Sequence, residues 1–250
     1  TGLAILVGSA FTLPLVFLVW IRNTERFGRE PWRAVLKAFV WGAVISVIVA
    51  IVLSLILLGA FQEIVPVYEY LSRRFGDPET AGAVLAALVV APLAEEAAKA
   101  LSVRTGRRHS ETMVDGLVYG AAAGLGFSAT ENLFYGVAYL AELGASGSIL
   151  LIVFRSFSSS LLHASATATT GYGMAKGWHT GRRWAFVPFY FVAVLMHATF
   201  NFLSTFGVLY AAQVGETAYL IGFTTTLAFA VIAVTIVRFK LAAQRRPAGR

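Results

Sequence analysis

The chain has 250 residues, 58% of them hydrophobic and only 13% charged, and its mean hydropathy is +0.73. This composition excludes an ordinary soluble domain and predicts an all-α, polytopic helix bundle living in the lipid bilayer. The absence of cysteine excludes disulfide frameworks and thiolate sites, and the net charge of +7 sits between the spans, where it sets topology and does not point to nucleic acid.

Seven apolar stretches are long enough to cross a membrane, at about 3–21, 35–60, 81–102, 113–140, 148–175, 184–206 and 210–237. Residues 1–250 therefore read as one integral membrane domain. The first stretch lacks a small-residue cleavage signature and runs into a basic loop, so a retained helix is expected. The first, third and fifth connections and the tail carry Arg22, Arg26, Arg29, Arg33, Lys37, Lys99, Arg104, Arg107, Arg108, Lys176, Arg182, Arg183, Arg238, Lys240, Arg245, Arg246 and Arg250. These are 17 of the 20 basic residues; the opposite connections hold only Arg73 and Arg74. The bias places the N-terminus outside and the C-terminus in the cytoplasm, with seven helices between. The remaining one, Arg155, falls inside the fifth stretch and needs a partner. The second connection is amphipathic around 65–75, which predicts a segment lying on the outer surface.

The third stretch contains APLAEEAAKA, from Ala91 to Ala100. Glu95, Glu96 and Lys99 interrupt an otherwise apolar helix, where each charge costs about 2.5–3.5 kcal/mol to insert. Lys99 is one turn beyond both glutamates and pairs with either, while the two carboxylates point about 100° apart. One reading is an ion pair that locks helices together; the other is an acid/base or cation site, because one carboxylate is left over. Pro92 removes a helical hydrogen bond just ahead of them and loosens the helix.

The fourth stretch repeats Gly116, Gly120 and Gly124 at four-residue spacing, which lets a neighbouring helix approach closely. Phe127 and Glu131 continue that stripe, with Asn132 beside them. In the fifth, Ser156, Ser160, His163, Thr167 and Thr170 share one face, headed by Arg155. Ser and Thr there serve as interhelical glue, and His163 is either a structural histidine or a functional one. The sixth places His197 and Asn201 one turn apart, two hydrogen-bond donors that suit an oxyanion.

Together these residues resemble the PrsW family of intramembrane proteases, within the superfamily that includes the CAAX prenyl endopeptidases and the bacteriocin-immunity membrane proteins. The resemblance rests on Glu-Glu-x-x-Lys at Glu95, Glu96 and Lys99, Phe-x-x-x-Glu at Phe127 and Glu131, then His163, then His197 with Asn201. It makes 91–205 the motif-bearing catalytic core. The CAAX enzymes carry Phe-x-x-x-His where this chain has Glu131. The resemblance implies site-specific cleavage of single-span, membrane-anchored protein substrates, anti-sigma factors being the known type, by a multi-pass enzyme of the cell membrane.

In the mechanism expected from it, Glu95 is the base that activates a water and Glu96 pairs with Lys99. Glu131 and His163 orient the water or protonate the leaving amine, and His197 and Asn201 hold the oxyanion. Phe127, Asn132, Arg155 and Ser160 are supporting residues. No metal or other cofactor is expected. Four alternatives stand beside this reading. Zinc could be held by Glu95, Glu131, His163 and His197, although no H-E-x-x-H pair exists. Ser160, one turn from His163, could be a nucleophile. The polar residues could serve a proton- or cation-coupled transporter, or a membrane scaffold without catalysis.

Overall fold

The computed structural model describes residues 2–25, 28–63, 69–70, 72–73 and 78–244. Seven long helices follow in chain order: α1 Gly2–Thr24, α2 Trp32–Gln62, α3 Thr80–Gly106, α4 Asp115–Ala138, α5 Leu140–Thr180, α6 Val187–Val214 and α7 Thr217–Ala242. The protein is an all-α, polytopic membrane bundle. Six of the helices are long and apolar enough to cross a membrane on their own, and α4 is not among the six. Its burial explains why: every residue from Asp115 to Ala129 is buried. A helix walled in by other helices has no need of an apolar surface for lipid. The outer helices do the opposite, leaving Leu55, Leu195, Val208 and Ile236 exposed where hydrocarbon covers them.

Close approach makes α4 the axis. A Cβ at Gly116, Gly120 or Gly124 would strike the α5 backbone at Gly171, Thr167 or His163, and one at Gly126 would strike Phe39 on α2. The small-residue stripe thus sets backbone against backbone along the α4–α5 contact, the most extensive in the molecule. The break expected near 207–209 is corrected to Gly215–Glu216. Gly207 does not interrupt a helix; it makes room for the ring of Tyr219, which occupies the place of its missing Cβ.

Two helices are locally underwound into π-turns, α2 at Gly42–Ser46 and α3 at Ala86–Val90. In α3 the cause is Pro92. The Ala91 amide already reaches back five residues to the Ala86 carbonyl, and the next such bond, from residue 92 to Ala87, has no donor because proline lacks the N–H. α5 is kinked at Gly144 (φ 66°) and closed by Gly181 (φ 72°), left-handed conformations that suit glycine.

The arginine-rich connections meet at one end of the bundle. Tyr119 of α4 donates to Glu30, Arg238 of α7 donates to Thr24 (2.8 Å), Gln244 donates to Thr112 (3.1 Å) and Ser110 meets His179 (3.4 Å). Lys99, counted with this charge from sequence, belongs elsewhere: it is fully buried inside the bundle. Most of the amphipathic segment expected at 65–75 lies outside the described residues.

Candidate functional site

Helical rise puts Glu95 about 16 Å above Gly106 and Glu131 about 18 Å above Tyr119. Gly106 packs directly under the Tyr119 ring, so the two carboxylates arrive at one depth although their distances from the helix ends differ. The close α4–α5 contact then fixes what faces them.

Lys99 is the hub. Its ammonium lies 2.7 Å from Glu96 Oε1, 2.8 Å from His163 Nδ1 and 3.6 Å from Glu95 Oε2, and 4.6 Å from the centre of the Phe127 ring. A donating ammonium makes His163 Nδ1 the acceptor, which leaves Nε2–H to donate to Glu131 Oε2 at 3.1 Å. Phe127 also packs on the His163 ring, with centroids 5.6 Å apart. Glu96, fully buried, accepts from Thr167 (3.0 Å) and contacts His197 Nδ1 (3.1 Å). Nε2 of His197 faces Glu95 Oε2 at 3.8 Å, and the two imidazoles meet edge to face.

Glu95 differs from its neighbour in one respect. Glu96 is held on both oxygens, whereas Glu95 Oε2 is buried and has no hydrogen-bond partner. Glu95 and Glu131 also line a cavity of about 290 Å³, otherwise bounded, Ser54 apart, by apolar side chains of α2, α3 and α4, among them Val47, Leu55, Val90 and Phe134. A water-sized reactant reaching Glu95 from there would leave bulk water behind.

Arg155 finds its partners: Glu131 at 3.0 Å, the Asn132 amide oxygen at 3.0 Å and the face of Tyr135 at 3.6 Å. Asn132 in turn donates to Ser160 (3.2 Å) and Ser156 (3.3 Å), and Ser160 bonds Ser128 (2.9 Å). Ser160 is therefore tied into the α4–α5 seam, and His163 spends both ring nitrogens elsewhere. Ser160 and His163 are not hydrogen-bonded to each other. Asn201 departs from expectation as well. Its amide donates to the Ala87 carbonyl at 2.7 Å, the one left without a donor by Pro92, which makes Asn201 a brace on the α3 π-turn. Thr167 and Tyr135 were missed as site residues. The signal was present, since they stand four residues beyond His163 and Glu131 on stripes already polar.

Oxygen or nitrogen atoms of Glu95, His163 and His197 lie within 4.8 Å of one another. One carboxylate and two histidines make a donor set used by catalytic zinc, and Glu96 on His197 Nδ1 is the usual outer partner of a metal-bound histidine. Glu131, expected as a fourth ligand, stands outside this trio. His163 would have to exchange Lys99 or Glu131 for the ion.

A membrane bundle that gathers two histidines, three glutamates and a lysine, with two of the glutamates on a cavity wall, has the groups a hydrolytic enzyme of the bilayer interior needs. The model for the PrsW family intramembrane metalloprotease matches residues 30–237, and the chain belongs to this family of intramembrane proteases. It is 29% identical over 196 residues to Protease PrsW of Clostridioides difficile (strain 630), covering 76% of this chain and 74% of that one. No solved structure matches the chain.

Proposed function

We propose that this protease hydrolyses a peptide bond of single-span, membrane-anchored proteins of the cell membrane, anti-sigma-type substrates by family resemblance, using water activated at Glu95. The observation that carries the reading is the buried Oε2 of Glu95 on the cavity wall, within ion-pair reach of Lys99 but with no hydrogen bond made. Water held there gives its proton to the carboxylate as its oxygen attacks the peptide carbonyl, and the same carboxyl then protonates the departing amine. Glu96 and Lys99 keep the ionic frame, and Lys99 and Glu131 together hold His163 in one tautomer. With Asn201 donating to Ala87, the donors beside Glu95 Oε2 that can serve the oxyanion are the Lys99 ammonium at 3.6 Å and, with both ring nitrogens protonated, His197 Nε2 at 3.8 Å. The charge bias supports an outside N-terminus and a cytoplasmic C-terminus.

A second reading is favoured by the trio of donor atoms and by the family's description as metalloproteases. Glu95, His163 and His197 would hold a divalent ion, which as a Lewis acid polarises the carbonyl and acidifies bound water. One experiment separates the two. Purified enzyme is assayed on a co-expressed single-span substrate in strong chelator, with bound metal measured in parallel. Activity retained without metal favours the glutamate alone; activity lost, and restored with one ion per chain, selects the metal. Normal cleavage by Glu95→Gln would refute both.

A further inference from the structure

A second cavity, of about 610 Å³, lies at the arginine-rich end of the bundle, between the C-terminal ends of α3 and α5 and the start of α6. This is well within the range of about 300–1,000 Å³ typical of ligand pockets. Its walls carry Arg104, Arg107 and Arg183, while Leu101, Met174 and Phe186 supply an apolar floor. No acidic side chain lines it, and none of the three arginines is engaged in an ion pair with a described residue. Trp178 and Tyr190 complete the wall, aromatic residues of the kind that settle at the membrane–water boundary. The Tyr190 hydroxyl is anchored on the Leu93 carbonyl at 2.8 Å, which holds that wall in place.

From this arrangement we infer that the cavity is a binding site for an anionic phospholipid, its phosphate on the three arginines and its acyl chain along Leu101, Met174 and Phe186. Three arginines on the wall of one cavity, with no carboxylate among the lining residues, call for an anion. An apolar floor that includes the exposed Leu101 calls for one that carries a chain. The positive-inside bias puts this end in the leaflet where anionic headgroups attract basic clusters. The inference is independent of how the peptide bond is cut.

The test is thermal unfolding of the full chain in detergent, titrated with phosphatidylglycerol, with phosphatidylcholine of the same chains, or with inorganic phosphate. Phosphatidylglycerol should raise the midpoint in a saturable way and the other two should not, because ligand that binds only the folded form stabilises it by mass action. The triple variant Arg104→Gln/Arg107→Gln/Arg183→Gln should bind roughly a hundredfold more weakly, at about fivefold per arginine, with an unchanged midpoint in phosphatidylcholine. Equal shifts from both lipids, an equal shift from phosphate alone, or undiminished binding by the triple variant would each overturn the proposal. Should the triple variant fail to fold, brominated phosphatidylglycerol decides: it should quench wild-type tryptophan fluorescence, and Trp178→Phe should remove most of that quenching. Quenching unaffected by Trp178→Phe would place the lipid elsewhere.

Discussion

Adjacent glutamates on one helix have separate fates here because one ammonium cannot serve both equally. Lys99 sits 2.7 Å from Glu96 and 3.6 Å from Glu95, and Thr167 completes Glu96 from α5. Replacing Lys99 by Met would strand Glu96 in a low-dielectric interior and release His163 Nδ1. Breaking one side of a buried pair costs roughly 3–5 kcal/mol, so a lower unfolding midpoint in detergent is expected, together with loss of cleavage. Glu95→Gln should behave oppositely. It removes a carboxylate whose Oε2 has no hydrogen-bond partner, so the midpoint should stay near wild type while the cleavage rate falls roughly 10²–10⁴-fold. Cleavage by Glu95→Gln alongside a folded but inactive Glu96→Gln would exchange the two roles.

At the level of elements, the site depends on how closely helices approach and on one deliberate irregularity. The Gly124 backbone abuts the His163 carbonyl, and a backbone atom cannot swing aside as a side-chain tip does. Gly124→Ala should therefore push α5 off α4, costing roughly 1–3 kcal/mol by overpacking and stretching the His163–Glu131 contact; cleavage and unfolding should fail together. Gly8→Ala, where nothing lies within 4 Å, is the matched control and should be silent. The π-turn of α3 offers a separate test. Asn201→Leu keeps the volume but leaves the Ala87 carbonyl unpaired, a loss of roughly 1–3 kcal/mol for a buried polar group. If Asn201 instead held an oxyanion, this variant would keep its unfolding midpoint and lose only rate.

For the whole molecule, the connection between α1 and α2 locks three helices together through carboxyls held out of water. Glu25 and Glu30 are buried beside Asp115, which ties the preceding turn to the start of α4 by accepting from the Glu111 and Thr112 amides at 2.6 and 2.7 Å. Burial first, then the Asp115 charge, raises Glu30 to about 9 and Glu25 to about 7 from an ordinary 4.5. The folded state thus holds protons that the unfolded chain releases near 4.5. This stabilisation is complete below that value and is lost as pH rises through about 7 and then about 9. Unfolding midpoints should fall across that window, and Glu30→Gln should flatten the upper part of the decline. A profile unchanged by Glu30→Gln would mean that the group does not titrate there.

Hydropathy and helical period are properties of neighbouring residues, so the sequence alone determined seven helical stretches, a bundle in the membrane, the charge bias of the connections and the polar stripes at Glu95–Lys99, Phe127–Glu131, His163 and His197. It also carried the family, because those motifs keep their order along the chain. Partner choice was not local. Which glutamate took Lys99 depended on Thr167 and His197 arriving from α5 and α6, and the matched depth of Glu95 and Glu131 depended on Gly106 lying under Tyr119. Asn201 reads as a site residue beside His197 until α3 is seen to present a carbonyl that Pro92 left without a donor. Ser160 reads as a nucleophile until Asn132 and Ser128 are seen to occupy it. Only tertiary structure decided these, because a buried polar group takes whichever donor or acceptor the packing of other helices brings within about 3 Å.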